Sequence, residues 1–250
     1  MEINQLQMKK PRILCLHGYG DSGKILEKTL GKWPEFVLEK MDLVYIDAPF
    51  AADPSSFIER FDSPHYMWFQ AFHHDHDQFN KSFDEAISYI EEQMIKLGPF
   101  DGVLGVSQGG SVTSTLPGMQ KQGVALTKVP KIKFVIIISG AKLGGLLFPS
   151  SPQLAKNAFS TPIDIPSLHI VGEKDELVLP QYQFELMESF VRPTLLYHHG
   201  GHGVPDPLDD NGVKTEGGDQ SQESSSSEFE LTTLPQFLRF KVRIPSRGRI

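Results

Sequence analysis

The pentapeptide Gly105-Val106-Ser107-Gln108-Gly109 places a hydroxyl group in a turn flanked by small residues. It follows a short apolar run, as is typical of a nucleophile held between a strand and a helix. Glycines two residues before and after the serine allow the strand and the helix to approach each other without a side-chain clash. A serine in such a turn attacks the carbonyl carbon of an ester when a base takes its proton. Ser107 is therefore the predicted nucleophile.

A carboxylate follows a later apolar run, within the segment 172–175. In enzymes with this kind of turn, the order along the chain is serine, acid and histidine, and the last two lie in loops after later strands. Glu173 and Glu176 are close neighbours. Asp175, however, falls in the loop before the next helix, from which a carboxylate can reach back over the edge of the sheet. Asp175 is therefore the predicted acid.

Nine histidines compete for the role of the base. His202 lies just past the last apolar run, and Gly201 and Gly203 free the backbone to direct its ring towards the serine. His198 and His199 lie nearer the strand, where a packed or solvated side chain is expected. The sequence thus predicts that His202 accepts the serine proton.

The negative charge that develops on the carbonyl oxygen needs backbone N–H donors, which form an oxyanion hole. One donor is expected from Gln108, the residue after the nucleophile, and the second from a loop after an early strand. The segment Leu16-His17-Gly18-Tyr19-Gly20 follows the first apolar run. The N–H of Tyr19 is the predicted second donor.

Six short apolar runs must position these groups. Most are continuously apolar rather than alternating, which indicates strands that are buried on both faces of a parallel sheet. The runs are 12–16, 43–47, 102–106, 134–139, 168–171 and 194–197. Apolar residues at helical spacing lie between them, at 26-30-33-37, at 83-87-90-94 and at 182-186-190. This alternation predicts a doubly wound α/β fold with a mostly parallel six-stranded sheet flanked by helices.

The composition fits one such domain. The chain has 250 residues, of which 39% are hydrophobic, and a net charge of −7. That charge argues against the binding of nucleic acid or of an anionic membrane surface. The single cysteine, Cys15, excludes an internal disulfide and a cysteine-based zinc site. Since no apolar run reaches about 18 residues and the N-terminus is polar, we expect no membrane span and a location in the cytoplasm or nucleus.

Three segments are predicted along the chain. Residues 11–205 carry the hydrolase domain. Residues 206–230 contain eight acidic residues against one lysine, and this composition is typical of a mobile loop. Residues 231–250 are predicted to add a short helix and a basic tail to the same domain.

Three further features suggest other roles. The segment 18–24 matches the phosphate-binding pattern G-x-x-x-x-G-K, but bound magnesium needs a hydroxyl at the next position, where the chain has Ile25. The cluster 73–77 is rich in histidine and aspartate, but adjacent side chains rarely all face one ion, so a solvated loop is expected. Trp68 and Phe69 are candidates for the walls of a substrate pocket, with packing in the core as the alternative.

Six segments together resemble the FSH family of serine hydrolases, which includes the ovarian-cancer-gene-2 protein. They are 16–20, 47–49, 68–69, 105–109, 172–175 and 201–202. The resemblance implies a compact α/β-hydrolase fold without the first two strands of the larger fold, and esterase activity with Ser107, Asp175 and His202 as the triad. The helix after the nucleophile departs from its relatives, which are richer in alanine there. Its hydroxyl and β-branched residues, followed by Pro117, predict a short helix that ends near Leu116.

The sequence therefore predicts a serine carboxylesterase that forms an acyl-enzyme and needs no metal or organic cofactor. The expected partner is a small-molecule ester, and the acidic segment and the basic tail leave the binding of a protein partner open. A thioesterase, a lactone or lipid esterase, and a ligand-binding protein of low turnover remain as alternatives on the same fold.

Overall fold

The computed structural model describes residues 9–53, 64–70 and 76–205, together with the backbone of 228–229 and 242–243. The elements follow one another as β1 (Arg12–Leu16), α1 (Gly23–Leu30), α2 (Glu35–Leu38), β2 (Asp42–Ile46), β3 (Phe50–Ala51), β4 (Tyr66–Met67), α3 (His76–Leu97), β5 (Gly102–Val106), α4 (Gln108–Gln122), β6 (Phe134–Ile138), β7 (Ser167–Gly172), α5 (Pro180–Met187), β8 (Pro193–His198), β9 (Glu228–Phe229) and β10 (Val242–Arg243).

The central sheet has six strands in the order β2-β1-β5-β6-β7-β8, and every neighbouring pair is parallel. The predicted six-stranded α/β architecture is confirmed, and each predicted strand end lies within one residue of the observed one. From β1 the chain first moves outward to β2 and then returns to add β5 on the other side of β1. The carboxyl ends of β1 and β5 therefore form a switch point, where open parallel sheets place their ligand sites.

The sheet is buried on both faces because successive side chains of a strand point in opposite directions. On β5, Val103 joins the apolar layer under α3 and α4, whereas Leu104 joins the layer under α1. Strands β5, β6 and β7 are buried along their whole length, as the continuously apolar sequences of β5 and β6 predict for those two strands. This rigid centre carries the loops that end at the candidate site.

The helix predicted from the spacing 26-30-33-37 is in fact two helices. α1 ends at Leu30, and α2 begins only after Pro34. Proline has no N–H to donate and disfavours a helical conformation of the residue before it, so the helix cannot continue through this point. α5 likewise ends at Met187, which leaves Phe190 beyond the helix.

The expectation that the helix after Ser107 ends near Leu116 is wrong, because α4 continues to Gln122 with Pro117 inside it. Every residue of α4 from its start to Met119 is buried, and this packing outweighs the cost of an interior proline, about 3 kcal/mol. Gly118 permits the close approach, since a Cβ there would lie 1.9 Å from the carbonyl oxygen of Ala158. Tertiary packing has overridden a weak local preference.

Near the C-terminus, β9 and β10 form an antiparallel pair, with Val242 opposite Phe229 and Arg243 opposite Glu228. The sequence did not predict this pairing. The remainder of the predicted acidic loop, 206–227 and residue 230, and the remainder of the predicted helix and tail lie outside the described residues. In the described part of the chain, no helix combines the length and the apolar character needed to cross a membrane.

Candidate active site

Ser107 occupies the sharp turn between β5 and α4, with φ 53° and ψ −115°. Such a conformation is rare for a residue with a side chain and is found where the surrounding structure enforces it. The flanking glycines are required because a side chain at either position would clash with the backbone. A Cβ at Gly105 would lie 2.2 Å from the carbonyl oxygen of Gly109, and a Cβ at Gly109 would lie 2.4 Å from that of His17. The turn presents the serine at the carboxyl edge of the sheet.

The structure brings Ser107, His202 and Asp175 together. The Nε2 atom of His202 lies 2.9 Å from the Oγ of Ser107. Its Nδ1 atom lies 2.9 Å from Oδ2 and 3.0 Å from Oδ1 of Asp175. Since an ionised carboxylate can only accept, Nδ1 carries the ring proton, and Nε2 is left to accept the hydroxyl proton of the serine.

The carboxylate of Asp175 is buried and fully engaged. Its Oδ1 accepts the backbone N–H groups of Leu177, at 3.1 Å, and Val178, at 2.8 Å. Its Oδ2 accepts the side-chain amide of Gln183 at 2.9 Å. Burial raises the pKa of Asp175, but the hydrogen bonds from His202 and from the Val178 N–H outweigh it and bring the pKa below its ordinary value of 3.8. The group stays ionised and holds the ring of His202 in one orientation.

The neighbouring acids and histidines have other partners. Glu173 pairs with His199 on the surface, where both side chains are about half exposed. His198 is buried, and its Nδ1 accepts the backbone N–H of Gly200 at 3.2 Å. Glu176 is exposed. None of these contacts involves Ser107.

The loop after β1 is held by His17, which is fully buried. Its Nε2 accepts the backbone N–H of Ala48 at 2.9 Å, so the ring proton is on Nδ1, which donates to the carbonyl of Gly18 at 2.7 Å. Burial lowers the pKa of His17 to about 4, which keeps the ring neutral. The carbonyl and N–H of one trans peptide point in opposite directions, so this bond also sets the direction of the Tyr19 N–H. The loop lies beside Ser107, since a Cβ on Gly18 would lie 3.4 Å from that of Ser107.

Gln108 connects the start of α4 to the segment 64–70. Its Oε1 accepts the backbone N–H of Trp68 at 2.7 Å, and its Nε2 donates to the carbonyl of Phe69 at 2.8 Å. The indole N–H of Trp68 in turn donates to the carbonyl of His17 at 2.8 Å. Trp68 and Phe69, candidates for pocket walls, are fully buried, and the structure places both in the core beneath the site.

The glycine-rich segment 18–24 does not present its N–H groups as a phosphate-binding loop does. The N–H of Gly20 donates to the carbonyl of Tyr66 at 2.8 Å, and that of Gly23 donates to Oδ1 of Asp47 at 2.8 Å. Of the histidine-rich cluster, residues 73–75 lie outside the described residues. Elsewhere, the described ranges contain no group of three or more His, Cys, Asp or Glu side chains that could hold a metal ion.

The sequence analysis did not single out the side chains of His17 and Gln183. Gln183 is a buried polar residue on α5, and a polar residue among apolar helix neighbours was the available signal. His17 was seen only as part of a loop motif. The role of its side chain depends on which ring nitrogen carries the proton. Only the hydrogen-bond partners of the ring in the folded structure define that.

The chain is similar to known serine hydrolases and esterases. The family model described as serine hydrolase (FSH1) matches residues 6–211. A protein named Esterase CG5412 from Drosophila melanogaster is 31% identical over 203 residues, which cover 79% of this chain and 69% of the fly protein. Esterase OVCA2 from Xenopus tropicalis is 28% identical over 216 residues, which cover 80% of this chain and 88% of the frog protein. The crystal structure of Zea mays acyl-protein thioesterase 2 superposes with a TM-score of 0.55 at 22% identity, over 80% of this chain and 90% of the maize chain, which shows a shared fold.

Proposed function

The chain belongs to the FSH1 family of serine hydrolases, and we propose that it hydrolyses carboxylic esters of small molecules with Ser107, His202 and Asp175 as its catalytic triad. One observation carries the proposal. The ring of His202 lies 2.9 Å from the hydroxyl of Ser107 on one side and 2.9 Å from the carboxylate of Asp175 on the other, in the tautomer that a general base requires.

In the first half of the reaction, the Oγ of Ser107 attacks the ester carbonyl carbon while Nε2 of His202 takes the hydroxyl proton. The carbonyl π-bond electrons move to the oxygen and form a tetrahedral oxyanion. When the intermediate collapses, the C–O bond to the alcohol breaks, and His202 returns the proton to the leaving alkoxide. Asp175, held ionised by its hydrogen bonds, stabilises the imidazolium ion that exists in between.

In the second half, His202 takes a proton from water, and the resulting hydroxide attacks the acyl-serine carbonyl. The second tetrahedral intermediate releases the carboxylic acid, and Ser107 regains its proton. No group other than the side chains, the backbone donors and water takes part in these steps.

The oxyanion is stabilised by the N–H groups of Gln108 and Tyr19. The N–H of Gln108 belongs to the first turn of α4, where N–H groups have no partner within the helix and carry its positive dipole end. The direction of the Tyr19 N–H is set through His17. Each donor contributes about 3 kcal/mol to the stability of the transition state at comparable sites.

The test is turnover of a series of p-nitrophenyl esters of increasing acyl length by wild type and by Ser107→Ala. We expect wild type to release p-nitrophenol with a maximum at one chain length, and Ser107→Ala to lose about 10⁴-fold or more in kcat. Ser88→Ala, which changes an exposed α3 serine, is the control and should match wild type. Matched acyl thioesters in the same assay identify a thioesterase if they are the better substrates. Equal activity of wild type and Ser107→Ala would overturn the proposal.

A further inference from the structure

Ser139 follows β6, the strand next to the one that ends at the nucleophile. It is fully buried and has φ 50°. Among the described residues, Ser107, Leu126 and Ser139 are the residues other than glycine with positive φ. This conformation is unfavourable for a residue with a side chain, so the surrounding structure must enforce it. For Ser107 the reason is the nucleophile turn. Ser139 lies at the same edge of the sheet, so its strained backbone also needs a structural reason.

The hydroxyl of Ser139 joins the two loops that carry the rest of the triad. Its oxygen accepts the backbone N–H of Gly203, the residue after His202, at 3.1 Å. The same hydroxyl is one of the groups whose hydrogen bonding lowers the pKa of Asp175. One hydroxyl has one proton to give and lone pairs to accept with, so it can serve Gly203 and Asp175 at the same time. Ser139 therefore connects the loop after β7 with the loop after β8.

The His202 loop needs such a tether because its local sequence provides little restraint. Gly200, Gly201 and Gly203 surround the histidine, and Gly203 has φ 97°, a value that only glycine adopts readily. A Cβ at Gly203 would meet no atom within 4 Å, so no neighbour would restrain a side chain there. The bond to Ser139 supplies a fixed point next to the catalytic base.

We propose that Ser139 is a positioning residue that holds Asp175 and His202 in register with Ser107. This inference rests on the proposed function, since it concerns the same triad. Ser139 contacts neither the substrate nor the reacting atoms and acts through the two residues that it links. Its loss should slow the chemical step and leave the binding of the substrate unchanged, because the pocket surface is the same.

The experiment compares Ser139→Ala and Ser139→Gly with wild type. Both variants remove the hydroxyl, but glycine also relieves the strain at φ 50°, so its thermal midpoint should be at least that of the alanine variant. We expect both variants to lose about tenfold in kcat, with KM within about twofold of wild type. Ser114→Ala is the control, since it removes another buried serine hydroxyl whose partner is the carbonyl of Ser111, and its kinetics should match wild type.

A second readout is the low-field proton NMR signal of the Nδ1–H of His202, which reports the bond to Asp175 directly. We expect the signal in wild type, and a broadened or upfield-shifted signal in both Ser139 variants. Wild-type kcat in both variants, or a rise in KM at unchanged kcat, would overturn the positioning role. The outcome is separate from that of the proposed function, because a wild type without turnover or without reaction of Ser107 with a fluorophosphonate would refute the triad itself.

Discussion

The indole N–H of Trp68 donates to the main-chain carbonyl of His17 at 2.8 Å, so that a side chain in the core fixes the loop beside Ser107. The next carbonyl along, that of Gly18, is held by the ring of His17. Trp68 is itself held by the amide of Gln108, whose own N–H is the other proposed oxyanion donor. The two halves of the proposed oxyanion hole are thus linked through one continuous set of hydrogen bonds.

Trp68→Phe should lower kcat by about tenfold and leave KM within about twofold, because it removes the donor to the carbonyl of His17 and keeps an aromatic ring in the core. The unpaired carbonyl should also reduce the free energy of unfolding by about 1–3 kcal/mol. Steady-state kinetics and urea denaturation measure both effects. The chain has two tryptophans, and Trp33→Phe, between α1 and α2, is the matched control. Identical kinetics of the two variants would show that the indole N–H has no part in the site.

His17→Asn and His17→Gln separate the two bonds of the ring. The amide of asparagine can replace Nδ1 as the donor to the carbonyl of Gly18, whereas that of glutamine can replace Nε2 as the acceptor from Ala48. We expect His17→Asn to retain more kcat than His17→Gln, since the Gly18 bond directs the proposed oxyanion donor. The inhibition constant of an acyl boronic acid, which forms a tetrahedral adduct, should follow the same order. The reverse order would contradict the role given to the Gly18 carbonyl.

The contribution of His17 to the stability of the protein should fall as the pH decreases from about 6.5 to about 4. Burial lowers the pKa of His17 to about 4, so in this range the unfolded chain binds a proton at this residue and the native state does not. The contribution is fully present above pH 6.5 and is lost towards pH 4, at about 1.4 kcal/mol per pH unit. Burial also raises the pKa of Asp21 to about 6, and that carboxyl acts in the opposite direction between its ordinary value of 3.8 and pH 6.

A comparison of wild type with His17→Gln isolates the histidine, since Asp21 contributes equally to both proteins. The free energy of unfolding is measured by urea titration at several pH values. As the pH decreases, it should fall less steeply in the variant, and the difference in slope should correspond to the binding of up to one proton. If the free energy of unfolding changed equally with pH in wild type and in His17→Gln from pH 4 to 6.5, the imidazole of His17 would not be buried as a neutral group.

Gly109→Ala should destabilise the protein and inactivate it. The added Cβ would lie 2.4 Å from the carbonyl oxygens of Leu16 and His17, which are backbone atoms and cannot swing away. We expect a loss of about 1–3 kcal/mol in stability and about 10²-fold in kcat, since the nucleophile turn must shift. Gly110→Ala on the same helix meets its nearest atoms at 3.2 Å and should be much milder. Equal losses of stability and kcat in Gly109→Ala and Gly110→Ala would argue against a clash with the carbonyl oxygens of Leu16 and His17.

The sheet could be predicted from the sequence because its strands are buried on both faces and are therefore continuously apolar, as in β5 and β6. The turn at Ser107 could be predicted because close packing demands glycine at Gly105, against α4, and at Gly109, against the end of β1. The order of the proposed triad along the chain follows from the fold.

Other features depend on contacts between distant parts of the chain. α4 continues through Pro117 because burial outweighs a local preference, and no property of the helix sequence alone shows it. The roles proposed for the hydroxyl of Ser139, after β6, and for the amide of Gln183, on α5, depend on Asp175, which lies in the loop after β7. Pro34, by contrast, was a local signal that divides α1 from α2.

The most direct test of the proposed triad is labelling by a fluorophosphonate, which reacts with an activated serine, followed by mass spectrometry of the modified peptide. We predict one adduct, on Ser107, in wild type. We also predict no adduct in Ser107→Ala, and labelling slowed by about 10³-fold or more in His202→Ala, because the base that lies 2.9 Å from the hydroxyl is absent. Labelling of His202→Ala at the wild-type rate, or an adduct on a serine other than Ser107, would contradict the triad.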